Sequence, residues 1–259
     1  MNPSGYKIKA TDKFISVITK CVSDAVGDDI KGDIKSHGLV TQNSTPTRIW
    51  DLLNTNICKN FNQIDIIANP TKRGPWEMVP IFERNTGIVY SLMREQRFEL
   101  LKKEFPKRRN AHYIDAFARS LNADLCAAKN QLLLFPLCEK KFNNEEFIQE
   151  IIEKIFRDLG VPNELVRHHA LILFSSFNNE LASLRCCVVD SNLGIVDEVD
   201  WSNYIKASES IIAGKALDRA SVYVEPSGGL KYKQKAKDKM GQKRPAERKK
   251  LDGEDKIIT

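Results

Sequence analysis

The sequence predicts an α+β fold of antiparallel strand meanders with flanking helices, followed by a disordered basic C-terminal tail. Three observations carry this. Apolar residues recur at helical spacing before residue 62 and again in 98–105, 110–128 and 145–159. Two blocks of short apolar or β-branched runs, punctuated by Gly, Pro, Asn and Asp, fall at 63–93 and 168–201. Beyond Gly229 the chain is lysine, glutamine and glutamate with almost nothing to bury. The organisation is therefore an N-terminal helical segment, 1–62, forming one domain with an α+β core, 63–229, and a basic tail, 230–259.

Each element follows from local chemistry. In ATDKFISVITKCVSDAV, Phe14, Ile15, Ile18, Cys21, Val22 and Ala25 form one helical stripe behind Thr11 as N-cap. Residues 27–46 are rich in Gly, Asp, Ser and Thr and read as a connection. A second, buried helix starts with Thr47 as its cap and runs on through Arg48, Ile49, Trp50, Leu52, Leu53, Ile57 and Phe61. The run 63–68, then WEMVPIF, then IVYSLM, separated by NPTKRGP and ERNTG, reads as a three-stranded meander. Pro80 puts the middle strand at an edge or a bulge, because proline cannot donate to the ladder.

Phe98, Leu101 and Phe105 begin a helix that Pro106 stops, and 110–128 continues as another. QLLLFPLC is short and continuously apolar, a buried strand. Asn144 caps the most regular helix, with Phe147, Ile148, Ile151, Ile152, Ile155 and Phe156 inward and Gly160 ending it. Three strands follow over 168–201, with Asn178 and Asn179 at a hairpin tip. His168 and His169 then point to opposite faces. A helix from Ser202 to about Leu217 and a run SVYVE complete the core.

Composition excludes several classes. No stretch approaches the roughly 18–20 apolar residues that span a bilayer, and the N-terminus lacks a secretory layout, so a cytoplasmic protein without membrane contact is expected. Six cysteines lie without CxxC spacing, mostly in apolar runs, as reduced core thiols do. The net charge is +6, yet Lys231–Lys250 alone carries ten Lys or Arg against two Asp or Glu. The body is thus close to neutral, and the tail, with Lys243, Arg244 and Arg248, is suited to sequence-independent attraction to DNA or RNA or to solubilising the chain.

The chemistry-bearing residues concentrate between Lys72 and Arg97. Lys72 and Arg73 precede Gly74-Pro75-Trp76, where two cations and an indole can hold a phosphate and a stacked base. The plainer reading is a solvated hairpin tip with Trp76 opening a core strand. Arg94 and Arg97 lie one helical turn apart at a helix start, where the dipole disfavours cations. That placement calls for an acidic partner, external or drawn from Glu77, Glu83, Glu95 and Glu99.

Catalytic signatures are missing. Asp65 and Glu77 fall on successive predicted strands, but the Glu-x-Lys lysine of a metal-dependent nuclease is absent, so no metal or cofactor is expected. Arg108 and His112 have only three residues between them, too few for the Arg-x4-6-His spacing of helical HEPN-type ribonucleases, and read as a basic linker with His112 and Arg119 facing solvent. There is no Gly-rich phosphate loop, nucleophile elbow or HExxH helix.

The run RGPWEMVPIFERNTGIVYSLMREQRF, from Arg73, resembles uncharacterised bacterial proteins of mobile or phage-associated gene clusters. The resemblance covers about the central two thirds of the chain. It implies an accessory role, half of a toxin–antitoxin or phage-defence pair, and carries over no catalytic residue. The expected function is a non-catalytic, antitoxin-like or regulatory binding component. Its partners would be a protein of the same operon and nucleic acid, held through Lys72, Arg73, Trp76, Arg94, Arg97 and the tail. One alternative is a metal-independent ribonuclease toxin using Tyr90, Arg94, Arg97 and His112 beside Lys72 and Arg73. A structural or phage assembly protein is the other.

Overall fold

Thr11 begins the first helix as the sequence requires: its Oγ1 accepts from Phe14 N at 3.2 Å, and α1 runs Asp12–Val26. The computed structural model describes residues 5–38, 40–61, 65–73, 75–127 and 140–205, all within one compact unit, Met1–Ala207. QLLLFPLC, the run SVYVE, most of the helix expected after Ser202, and the basic tail lie outside the described residues.

After Gly27, α2 (Asp28–His37) occupies what the sequence reads as a connection. Only Ile30 of α2 is buried, so its apolar signal is a single residue. Its ends are nevertheless well made, with Asp28 and Asp29 in the first turn and a left-handed Gly38 at the C-cap. The third helix, α3, spans Thr45–Phe61 and buries Ile49, Leu53, Ile57 and Phe61.

The first strand block contains more than a meander. Strands β1 (Ile66–Ala68), β4 (Ile81–Glu83) and β5 (Ile88–Arg94) pair antiparallel in that order, while β2 (Thr71–Arg73) and β3 (Trp76–Met78) form a separate two-stranded ribbon between β1 and β4. WEMVPIF is thus two strands. The break falls at Val79-Pro80, where the missing amide hydrogen ends one ladder before the next begins.

Beyond β5 come α4 (Glu95–Glu104), α5 (Tyr113–Leu121) and α6 (Glu145–Leu159). The second block, β6 (His168–Phe177), β7 (Glu180–Val189) and β8 (Ile195–Asp200), is an antiparallel meander whose tip residues Asn178 and Asn179 have φ of 49° and 56°. Its first strand lies parallel to β5, in register from Ile88↔His168 to Arg94↔Phe174. The two meanders are therefore one six-stranded mixed sheet, β1-β4-β5-β6-β7-β8. A parallel pair needs a long crossover, which α4–α6 supply.

Helices cover both faces. Ile88, Tyr90, Leu92, Ala170, Ile172, Phe174, Leu184 and Cys186 pack with α1–α3, whereas Val89, Met93, Leu171, Leu173, Cys187 and Val189 pack with α4–α6. Both parities of the central strands are buried, which is why they read as unbroken apolar runs. No helix among the described residues is long and apolar enough to cross a membrane.

Two polar features are built into this core. His169 is fully buried, stacked on Phe117 at 4.1 Å, and its Nε2 lies 2.8 Å from Ser91 Oγ. Asn122, at the end of α5, clamps the same strand: its Oδ1 accepts from His169 N, and its Nδ2 donates to His169 O and Val189 O. On the other face Glu83 accepts from Tyr90 Oη at 3.2 Å and Thr86 Oγ1 at 2.9 Å.

Gly87 has φ +71° in the β4–β5 turn, and a Cβ at this position would fall 2.9 Å from Arg167 Cγ and 3.0 Å from Leu165 O. Gly87→Ala combines a clash with a left-handed backbone and is expected to cost about 1–2 kcal/mol, readable as a lower thermal midpoint. Burial lowers the His169 pKa from 6.5 to about 3. Between those values the unfolded chain binds the extra proton, so stability is complete above about pH 6.5 and is lost as pH falls towards 3. His169→Gln is expected to flatten that acid slope by about 1.4 kcal/mol per pH unit, measured by denaturant titration across pH.

Candidate anion-binding site

The topology gathers several chain segments at one end of the sheet. β1 ends, β4 begins and β5 finishes there, so the β2–β3 ribbon projects from the edge at which α4 starts. Helix α5 runs back along β6, since its last residues meet the beginning of that strand through Asn122, and its N-terminus therefore returns to the same end. Arg73, Arg97 and His112 come together here from three elements separated in sequence.

His112 is the N-cap of α5. Its Nδ1 accepts from Ile114 N at 3.3 Å, and Asp115 returns the bond from His112 N at 2.6 Å, a capping box with histidine in the usual Ser/Thr place. Burial, together with the charges of Arg73, Arg97 and Arg108, lowers its pKa to about 3. His112 is therefore neutral at physiological pH. The expectation of a solvent-facing His112 and Arg119 fails for one reason: both serve local structure, with Arg119 reaching Glu145 across to α6 at 3.2 Å.

Arg108 is neutralised. One Nη lies 2.5 Å from both oxygens of fully buried Asp115, so the basic linker is a buried ion pair that fixes the start of α5. Arg73 has no such partner among the described residues. Its guanidinium lies 4.4 Å from the centroid of the Tyr113 ring, and its Nε is buried without an acceptor. Arg97 is exposed on α4, close enough for its charge, with that of Arg73, to act on His112 and Tyr113. Burial pushes the Tyr113 phenol up, leaving it a neutral platform for the cation.

The carboxylates that could have answered these arginines are committed elsewhere. Glu77 meets Lys72 at 3.5 Å, Glu83 takes Tyr90 and Thr86, and Glu95 and Glu99 meet Arg185 at 2.9 and 3.5 Å. Among the described residues Arg73, Arg94 and Arg97 have no carboxylate partner within ion-pair distance.

The remaining sequence candidates separate. Arg94 caps α4 and lies 5.7 Å over Phe174, on the face packed by α1–α3, where burial lowers its pKa. It does not join Arg97. Tyr90 is fully buried and its phenol is pushed up, out of reach of a substrate. Trp76 does not open a core strand: it is 58% exposed and pairs directly across the ribbon from Arg73, on the same face. Lys72 points to the other face with Glu77. Asp65 precedes β1 while Glu77 belongs to the separate ribbon, so they are not on neighbouring strands of one sheet. Asp190 serves the β7–β8 turn, accepting from Asn192 N and Gly194 N. Lys243, Arg244 and Arg248 lie outside the described residues.

A family model for DUF5986, a family of unknown function, matches residues 7–249. The chain belongs to the DUF5986 family. No curated protein and no solved structure matches it. In this DUF5986 chain the match spans α1–α6, the ribbon, the mixed sheet and the arginine end together.

Tyr113 and Asp115 are the site residues that sequence reasoning missed. The available signal was the spacing His112-x-x-Asp115, which reads as a capping box only once histidine is allowed as the cap. Asp115→Asn leaves Arg108 without its counter-charge in a buried setting and is expected to cost about 3 kcal/mol, measured by chemical denaturation.

Proposed function

We propose that the chain is a non-catalytic binding component, antitoxin-like or regulatory, that presents the arginine end of its sheet to an anionic partner. The supporting observation is that Arg73 and Arg97 converge on α5 while Glu77, Glu83, Glu95 and Glu99 are each engaged with other groups. Such cations keep a local positive potential on a body whose overall charge is near neutral. The resemblance of the Arg73–Phe98 run to proteins of mobile or phage-associated clusters supports a place in a bacterial toxin–antitoxin or phage-defence module. A cytoplasmic protein partner from the same operon fits that role, and the basic stretch around Lys243, Arg244 and Arg248 adds attraction to phosphates.

The non-catalytic reading draws on the state of the groups a metal-independent ribonuclease would use. Such cleavage needs a general base and a general acid within reach of one phosphate. Tyr90 is buried, His112 is neutral with Nδ1 occupied by Ile114 N, and Arg94 lies on the other face of the sheet.

Expression of the full chain alone in a bacterial host is the test. Normal growth and intact RNA after incubation with purified protein are expected. Growth arrest relieved by Arg94→Ala or His112→Ala would establish the ribonuclease toxin instead. Co-expression with the neighbouring open reading frames is expected to yield a stable complex, and Arg73→Glu combined with Arg97→Glu to weaken binding of the anionic partner at least tenfold.

A further inference from the structure

We infer that the anionic partner of this surface is a single-stranded nucleic acid, with Trp76 stacking on a base while Arg73 and Arg97 hold phosphates beside it. The inference rests on the binding reading above and adds the ligand class. Its first support is the ribbon. Arg73 and Trp76 are directly opposite in the β2–β3 register, so a guanidinium and an indole share one face, their Cβ atoms about 5 Å apart. That spacing is comparable to the reach between the phosphate and the base of one nucleotide.

The second support is how each group is held. The Arg73 guanidinium lies 4.4 Å from the centroid of the Tyr113 ring, and a cation held by a ring rather than by a carboxylate keeps its Nη donors for an oxyanion, although its Nε is buried. Arg97 contributes a second cation from a different element, with no carboxylate among the described residues taking it. The indole of Trp76 is 58% exposed, an open aromatic face beside the two cations. Its neighbour Glu77 is turned to the other face and paired with Lys72, so it does not repel an incoming anion.

The combination selects against other polyanions. A duplex hides its bases in the stack, leaving the indole without a partner, whereas an unpaired strand offers a π-face at every nucleotide. An acidic peptide satisfies the arginines but makes no use of a flat ring beside them. Base stacking is sequence-tolerant, so the surface grips a strand without reading its sequence.

Binding of the full chain to fluorescein-labelled single-stranded RNA and DNA oligonucleotides, the same DNA as a duplex, inorganic polyphosphate and a polyglutamate peptide tests this. Single strands are expected to bind tightest, and a preference between RNA and DNA identifies the natural sugar. Trp76→Ala, at an exposed position, is expected to weaken single-strand binding roughly five- to 150-fold while leaving polyphosphate binding unchanged. Arg97→Ala is expected to lower the slope of log K against log salt by about 0.7. The tail contributes equally in every variant, so the comparison isolates the ribbon. Equal affinity for duplex and single strand, or an unaltered Trp76→Ala variant, overturns the inference. If polyphosphate or polyglutamate still binds and loses affinity in Arg97→Ala, the binding reading survives that failure. If no polyanion responds to either arginine, both fall.

Discussion

The parallel pairing of β5 with β6 is the constraint on which the rest of this protein depends. Seven consecutive registers, from Ile88↔His168 to Arg94↔Phe174, join two meanders that would otherwise each present an unpaired edge. Parallel pairing also forces the chain between them to cross the sheet, and that crossing lays α4, α5 and α6 on a single face. Because α4 leaves from the end of β5 and α5 returns beside β6, two helix starts come to the same end as the ribbon. The arginine site is thus a consequence of strand direction before it is a matter of side chains.

Periodicity made much of the fold legible. Helical stripes located α1, α3 and α6, and turn chemistry located the Asn178-Asn179 hairpin, because those signals act within a few residues. Strand direction did not show in the sequence, since both parities of β5 and β6 are apolar and an antiparallel partner would suit them equally well. α2 escaped because one buried isoleucine gives no period. The ribbon escaped because Thr71–Arg73 has the composition of a turn, and only pairing with Trp76–Met78 makes it a strand.

The site was legible in its residues and illegible in its grouping. Lys72, Arg73, Trp76, Arg94, Arg97 and His112 all drew attention as charged or aromatic groups near turns and helix starts. Which of them meet depends on face. One residue of register sends Lys72 away from Arg73, and Arg94, the last residue of β5, lies on the opposite face of the sheet from Arg97 of α4, three residues on. The availability of the glutamates depended equally on long-range partners, above all Arg185 on β7, which no local pattern connects to Glu95 or Glu99.

Asp197 on β8 adds a different kind of consequence. It accepts from Ile8 N at 2.8 Å and meets Lys7 at 3.2 Å, and Tyr204 reaches back to Asp12 in the same way. The segment ahead of α1 is therefore anchored by residues close to the other end of this unit. The partners Ile8 and Asp197 are 189 residues apart, and contacts so distant in sequence make for slow closure. Closure of this unit thus depends on β8, the last strand of the sheet, holding the segment that leads into α1.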